Sequence, residues 1–185
     1  MYELVSISHT DMYYTRPTIT TSFLANKKDK LIISNSIHES DLINALYSKN
    51  DEEIKRLIQR YDFITLPSLG SQKHLVYAKK ITIENVQKAF KKLIYLALEL
   101  NKIIIYSSSP YYFFKDDKKF YDVYVNTKGL EGKAHRFANE VYVPDLEYID
   151  QKNAIDELAY LEDEKLINLI INENPVHINL SLIHI

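Results

Sequence analysis

Apolar residues recur at three- and four-residue spacing along several parts of the chain, and each such stretch predicts a helix. The clearest covers residues 84–102, where the apolar positions are Val86, Phe90, Leu93, Ala97 and Leu100. Two shorter helices are expected over residues 41–47 and 51–61, the second with Asp51 at its N-cap. A further helix is expected over residues 130–143, because Pro144 ends it. The last predicted helix covers residues 153–171, with Leu158, Leu161, Leu166 and Ile170 facing inward.

Short β-branched or apolar runs predict strands between these helices. Residues 15–24 are interpreted as an edge strand, since Pro17 cannot donate a backbone hydrogen bond. Other strands are expected at residues 31–34, 63–66, 75–83, 103–106 and 120–125. Together these elements predict an α+β fold, in which two or three longer helices pack on a small mixed β-sheet.

The composition of the chain excludes several kinds of site and of protein. The 185 residues carry a net charge of −2 and include no cysteine, which excludes disulfides, a thiol nucleophile and cysteine zinc sites. The first residues lack the pattern of a signal peptide, and no apolar stretch reaches the roughly 20 residues of a membrane helix. These features predict a soluble, cytoplasmic protein with no membrane partner.

One domain is expected over residues 1–179, with residues 1–79 as an N-terminal recognition extension. The last six residues, Leu180 to Ile185, match one reading frame of a widely used sequencing adapter. We therefore expect the native chain to differ after about Asn179.

A motif of small, apolar and acidic residues lies near the C-terminal end. Its members are Glu131, Ala134, Phe137, Ala138, Glu140 and Pro144, in the pattern ExxAxxFAxExxxP. This segment resembles the third-ligand helix of the ImmA/IrrE family of zinc metallopeptidases, which occur in phages, mobile elements and bacterial stress regulators. The resemblance extends over about residues 80–170 and implies that Glu131 points at a metal.

The rest of that family's metal site is missing from the sequence. In the family an HExxH helix supplies two histidine ligands and a glutamate base. The matching positions here hold Leu98, Glu99 and Lys102. Leucine cannot coordinate zinc, and a lysine ammonium repels it. The resemblance therefore implies a pseudo-enzyme that keeps the fold without hydrolysis, with Glu99 and Glu131 as the remaining candidate catalytic residues.

Histidines beside carboxylates leave an enzymatic alternative open. His135 lies one helical turn from Glu131 and is a candidate metal ligand with it, although a surface ion pair is the favoured explanation of this spacing. His9 and His38 are further candidates for such a zinc peptidase or other hydrolase. The sequence around His38 also fits a helix cap, with Ser40 or Asp41 at the N-cap.

Residues 111–124 combine aromatic side chains with lysines, an arrangement that can bind single-stranded nucleic acid by stacking. The candidate binding residues are Tyr111, Tyr112, Lys115, Tyr121 and Tyr124. The structural alternative is a β-hairpin with one aromatic face in the core, because Asp116 and Asp117 cancel much of the charge.

These observations lead to one principal hypothesis and two alternatives. The principal hypothesis is a non-catalytic, metallopeptidase-like protein of a phage or mobile element that binds a protein partner and needs no cofactor. The first alternative is the zinc-dependent hydrolase. The second is a module that binds a nucleotide or single-stranded nucleic acid through residues 111–124.

Overall fold

The computed structural model describes residues 2–14, 17–27, 31–37, 40–127, 135, 137–138 and 142–172. The chain forms two compact units, Met1–Ile33 and Ser34–Ile185. The predicted single domain with an extension over residues 1–79 stays a prediction. No helix among the described residues is long and apolar enough to cross a membrane.

The first unit contains two short helices, α1 (Tyr2–His9) and α2 (Thr21–Ala25). Lys27 forms an ion pair with Glu3 at 2.9 Å within this unit. The edge strand predicted over residues 15–24 is wrong, because the Thr20 side chain accepts a hydrogen bond from the Phe23 N–H and begins α2. A helix cap therefore outweighs the β-propensity of the threonines.

The second unit is built on parallel strands, and its described part confirms the α+β class. Strand β1 (Phe63–Pro67) pairs with β2 (Ile103–Ser107) from Phe63 opposite Ile103 to Pro67 opposite Ser107. Ser34 forms a parallel bridge to Phe63 on the other side of β1. The neighbouring Asn35 side chain accepts from the Thr65 N–H at 2.8 Å and donates to the Thr65 carbonyl at 2.9 Å. The Asn35 side-chain amide thus forms the hydrogen bonds to the β1 backbone that a third strand would otherwise form.

The described part of this unit also contains helices. They are α3 (Asp41–Ala45), α4 (Asp51–Ile58), α5 (Lys73–Tyr77), α6 (Ile83–Glu99), α7 (Lys118–Asn126), α8 (Gln151–Glu157) and α9 (Glu164–Ile171). The connection from β1 to β2 contains α5 and α6, as parallel strands require a crossover.

The main core lies between α6 and the strands. Phe90, Leu93 and Ile94 of α6 are fully buried with Ile64 and Leu66 of β1. A second, smaller apolar cluster is built from Tyr112, Tyr121, Val125, Val143 and Leu146, with Phe137 packed against it. This smaller cluster supports the surface considered below.

Several predicted elements are confirmed, and others differ for identifiable reasons. The helices predicted at residues 41–47, 51–61 and 84–102 and the strands at 63–66 and 103–106 are present, although Asn50 rather than Asp51 caps α4. Ser40 caps α3, as the sequence indicated. The helix predicted over residues 153–171 is divided between α8 and α9, because Glu162 adopts a left-handed conformation and Asp163 caps α9.

Two further predicted strands, at residues 75–83 and 120–125, are wrong. Residues 75–83 contain the end of α5 and a turn with Lys79 at a φ of 56°, after which the Thr82 side chain caps α6. Residues 120–125 belong to α7, so the predicted hairpin is also wrong. In both places aromatic and β-branched residues suggested strands, whereas local turn and helix contacts determine the structure.

Candidate nucleic-acid interface

The segment 111–114 is fixed by pairing with a chain segment that lies some 35 residues later. The Tyr111 N–H donates to the Leu146 carbonyl at 2.8 Å, and the Tyr148 N–H donates to the Tyr112 carbonyl at 2.8 Å. The buried Tyr112 hydroxyl accepts from the Leu146 N–H at 3.2 Å. Burial, aided by the Asp145 charge, raises the pKa of Tyr112, so this phenol stays neutral.

Helix α7 follows a single turn of 3-10 helix over Lys115–Asp117. Asp117 accepts from the Phe114 N–H at 3.4 Å, which ties the turn to the preceding loop. Tyr121 and Val125 are buried, while Phe120 and Tyr124 lie one turn apart on the outer side of α7. The helix therefore directs apolar residues both into the core and outward.

We call the exposed rings of this region the aromatic surface; its members are Tyr111, Phe113, Phe114, Phe120, Tyr124 and Tyr148. Phe113, Phe114 and Phe120 are 69%, 73% and 65% exposed. Soluble proteins rarely expose so many large apolar side chains along one short stretch without a binding role.

Several of these exposed rings pack against other aromatic rings. The Tyr121 ring centre lies 5.2 Å from Tyr111 and 6.4 Å from Tyr124, and the Phe113 ring centre lies 5.3 Å from Tyr148. These separations fit favourable aromatic pairs. The buried Tyr121 therefore holds two exposed tyrosines in place.

The lysines of this segment divide into two kinds. Lys118 is occupied, with its Nζ 2.9 Å from Asp145 and 3.7 Å from Asp122. Lys115 and Lys119 are exposed, and the Lys119 Nζ lies 5.1 Å from the centre of the Phe120 ring. These two lysines are the cations best placed to meet an anionic ligand on the aromatic surface.

Asp145 fastens the aromatic surface to the turn that follows β1. Its carboxylate lies 3.2 Å from Lys73 Nζ as well as 2.9 Å from Lys118 Nζ. Its N–H donates to the Gly70 carbonyl at 3.0 Å. A Cβ added at Gly70 would lie 2.5 Å from the Asp145 carbonyl oxygen, so glycine permits this approach. Burial would raise the pKa of Asp145, but the hydrogen bonds and charges of Lys118 and Lys73 outweigh it and lower that pKa.

We expect an Asp145→Asn variant to lose about 1 kcal/mol of unfolding free energy at neutral pH, because partly exposed ion pairs contribute modestly. Since the pKa of Asp145 is lower in the folded protein, its contribution is complete above the unfolded value of about 3.9. The contribution disappears as the pH falls through the folded value. The difference in unfolding free energy between the two proteins, measured by urea unfolding, should therefore narrow as the pH falls from 7 to 3. Parallel pH profiles would contradict the assignment.

The residues at the positions of the family's HExxH motif take other roles. Glu99 forms an ion pair with Lys55 at 2.6 Å, and Lys102 Nζ donates to the Tyr61 carbonyl at 2.5 Å. Leu98 packs against the main core. These contacts fasten α6 to α4 and the turn after it, which accounts for all three residues without a metal.

Of the histidines predicted as metal ligands, the structure describes His135 and His9. His135 Nδ1 accepts from the Phe137 N–H at 3.2 Å, and its ring centre lies 5.4 Å from Tyr124. His9 Nδ1 lies 2.9 Å from the Val5 carbonyl oxygen within α1. Glu131 and His38 lie outside the described residues. Over the described ranges, no three His, Asp or Glu side chains gather as metal ligands.

The candidate binding residues also separate into two groups. Tyr111, Lys115 and Tyr124 are exposed, whereas Tyr112 and Tyr121 are buried and belong to the smaller apolar cluster. The structure adds Phe113, Phe114 and Phe120 to the candidate binding residues, because their side chains are exposed. Tyr148 joins the surface through tertiary pairing, for which the sequence carries no local signal.

The known proteins to which the chain is similar share one name. No family model matches the chain. The chain is 27% identical over 175 residues to the DNA polymerase III PolC-type of Mycoplasma pneumoniae, a match that covers 92% of this chain and 12% of the relative. It is 27% identical over 180 residues to the same protein of Mycoplasmopsis pulmonis, covering 95% of the chain and 12% of the relative. It is 21% identical over 175 residues to the DNA polymerase III PolC-type of Bacillus subtilis, a match that covers 92% of this chain and 12% of the relative.

These relatives overturn the metallopeptidase resemblance. The similarity to PolC-type polymerases extends over nearly the whole chain, whereas the metallopeptidase pattern depended on a few spaced residues. Phe137 and Ala138 of that pattern lie in a turn closed by the Ala138 N–H and the His135 carbonyl at 2.9 Å. The prediction of a phage or mobile-element pseudo-enzyme is therefore wrong. The chain is instead similar to a stretch of about one eighth of a PolC-type DNA polymerase.

Proposed function

We propose that this chain is a DNA-replication module that binds single-stranded DNA through its aromatic surface. The observation that carries the proposal is the exposure of six aromatic side chains around α7 on a well-packed framework. The name shared by the relatives, DNA polymerase III PolC-type, supports DNA as the ligand and replication as the process.

Base stacking provides most of the proposed affinity. An aromatic side chain contributes about 1–3 kcal/mol for each base that it stacks on, with little dependence on sequence. Phe113, Phe114 and Phe120 are the most exposed rings and offer the largest faces to bases. Tyr111 and Tyr124 extend the surface, while the buried Tyr112 and Tyr121 position them.

Charge contributes less than stacking in this proposal. Lys115 and Lys119 are available for phosphates, but Asp116 and Asp117 lie in the same segment. The module therefore suits a single strand, whose bases are open to stacking, rather than a duplex, whose outer face is phosphate. The proposal needs no cofactor, and it places the module in the cytoplasm, where bacteria replicate their chromosomes.

Salt dependence of binding tests this assignment. If the strand makes two phosphate contacts, the logarithm of the association constant should fall linearly with the logarithm of the salt concentration. The expected slope is about −1.4, since each contact on a single strand contributes about −0.7. The double variant Lys115→Ala, Lys119→Ala should reduce the slope toward zero and weaken binding only modestly. Fluorescence anisotropy with a labelled thymidine oligonucleotide of about twelve nucleotides measures both quantities.

Two results would contradict the proposal in this experiment. One is the absence of saturable oligonucleotide binding by a folded protein. The other is a steep slope that the lysine double variant leaves unchanged, since phosphate contacts elsewhere would then dominate. Replacement of Lys88 and Lys152 by alanine provides a control, because both are exposed lysines outside the aromatic surface.

A further inference from the structure

A second candidate binding site lies in a groove between α3 and α4, outside the aromatic surface. The groove has a volume of about 450 Å³, within the size range of ligand sites. Its lining includes Asp41, Ala45, Arg56, Leu57 and Arg60.

The two helices that form the groove are firmly held. Ser40 caps α3, and the Asn50 side chain caps α4 by accepting from the Glu53 N–H at 2.9 Å. Leu42 and Ile54 anchor the two helices in the main core and are fully buried. The groove is therefore preformed, which lowers the entropic cost of binding a ligand.

The floor of the groove is apolar. It consists of the two apolar residues of the lining, the buried Ala45 and the half-buried Leu57. A floor of this kind favours a ligand that carries an apolar side chain.

The rim of the groove carries unneutralised positive charge. Lys49 is paired with Glu53 at 3.7 Å. Arg56 lies in the last turn of α4 and Arg60 in the turn just after the helix; both are exposed, and no ion pair joins either to a carboxylate among the residues described. Asp41 is the other charged group of the lining.

We propose that this groove docks an acidic peptide segment of a partner protein. One apolar side chain of the segment covers Ala45 and Leu57, and two carboxylates pair with Arg56 and Arg60. Guanidinium groups bind carboxylates through two parallel hydrogen bonds, which gives such contacts geometric specificity. The apolar side chains of Ala45 and Leu57 offer no partner to a phosphate chain but can be covered by an apolar side chain, so a peptide is the occupant that the groove fits. This proposal does not depend on the DNA-binding proposal.

Selection of displayed random peptides on the immobilised intact chain tests the proposal. We expect the enriched peptides to share at least two acidic residues and one large apolar residue. A synthetic peptide of that consensus should bind at least about tenfold more weakly to an Arg56→Glu, Arg60→Glu variant, since one reversed ion pair costs about a factor of ten. The control Lys88→Glu, Lys152→Glu makes the same change in net charge elsewhere and should leave affinity unchanged.

The milder variant Arg56→Gln, Arg60→Gln keeps the test decisive if the glutamate variant unfolds. Enriched peptides without acidic residues, or equal affinity for the glutamine variant and the unmodified chain, would overturn the proposal. If the glutamine variant lost affinity for the thymidine oligonucleotide but not for the peptide, the groove would be a nucleic-acid contact and the proposal would again fail.

Discussion

Replacing Glu157 by alanine is expected to lower the free energy of unfolding by about 3 kcal/mol, because two hydrogen bonds to a charged carboxylate are lost. Its Oε1 accepts from the Leu69 N–H at 2.8 Å, and its Oε2 accepts from the Tyr106 hydroxyl. One side chain at the end of α8 therefore holds the turn after β1 and the end of β2 together.

The energetic cost arises from the groups that are left behind. Leu69 is buried, and its N–H would lose its partner in the variant. Burial, with a further contribution from the Glu157 charge, raises the pKa of Tyr106, so its hydroxyl remains a neutral donor at any pH near neutrality. A Glu157→Gln variant keeps one acceptor oxygen and should lose less stability than the alanine variant.

Urea unfolding followed by circular dichroism measures this effect. Asp156→Ala is the matched control, since Asp156 is exposed on the same helix and its loss should change stability by less than about 0.5 kcal/mol. Equal stability of the Glu157→Ala and Asp156→Ala proteins would show that Glu157 does not join these elements.

The elements that are easiest to predict from the sequence are those with one side buried in the core and another side exposed to solvent. Helix α6 has buried Phe90 and Leu93 on one side and exposed Tyr95 and Glu99 on another, so its spacing identifies it. Strand β1 is short and apolar and ends at Pro67, which also marks it clearly. These contrasts arise because each element has one side against the main core.

Helix α7 lacks that contrast, and its prediction fails for this reason. Phe120 and Tyr124 on its outer side are as apolar as Tyr121 and Val125 on its buried side. An aromatic run of this kind is also typical of strands. The same exposed rings that obscure the helix in the sequence form the proposed binding surface in the structure.

The candidate site could be predicted only in part. The Tyr, Phe and Lys content of residues 111–124 indicates a stacking surface. The roles of Asp145, Tyr148 and Gly70 depend on contacts between distant parts of the chain. The metallopeptidase pattern is misleading because it consists of a few spaced small, apolar and acidic residues, and such short patterns recur by chance.

Replacing both Phe113 and Phe120 by alanine is expected to weaken binding of single-stranded DNA at least thirtyfold. Each ring contributes about 1–3 kcal/mol if it stacks on a base, so removing two costs about 2 kcal/mol or more. Both side chains are more than 60% exposed, and their loss should hardly change the stability of the fold. The variant therefore separates binding from folding.

Anisotropy titration of a thymidine oligonucleotide of about twelve nucleotides with three proteins tests the central claim most directly. The proteins are the unmodified chain, the Phe113→Ala, Phe120→Ala variant and a Tyr95→Ala control, in which a half-exposed ring on α6 is removed. We expect the unmodified chain and the control to bind alike and the double variant to bind at least about thirtyfold more weakly at an unchanged melting temperature. Equal affinity of the double variant and the control would contradict the assignment of DNA binding to the aromatic surface.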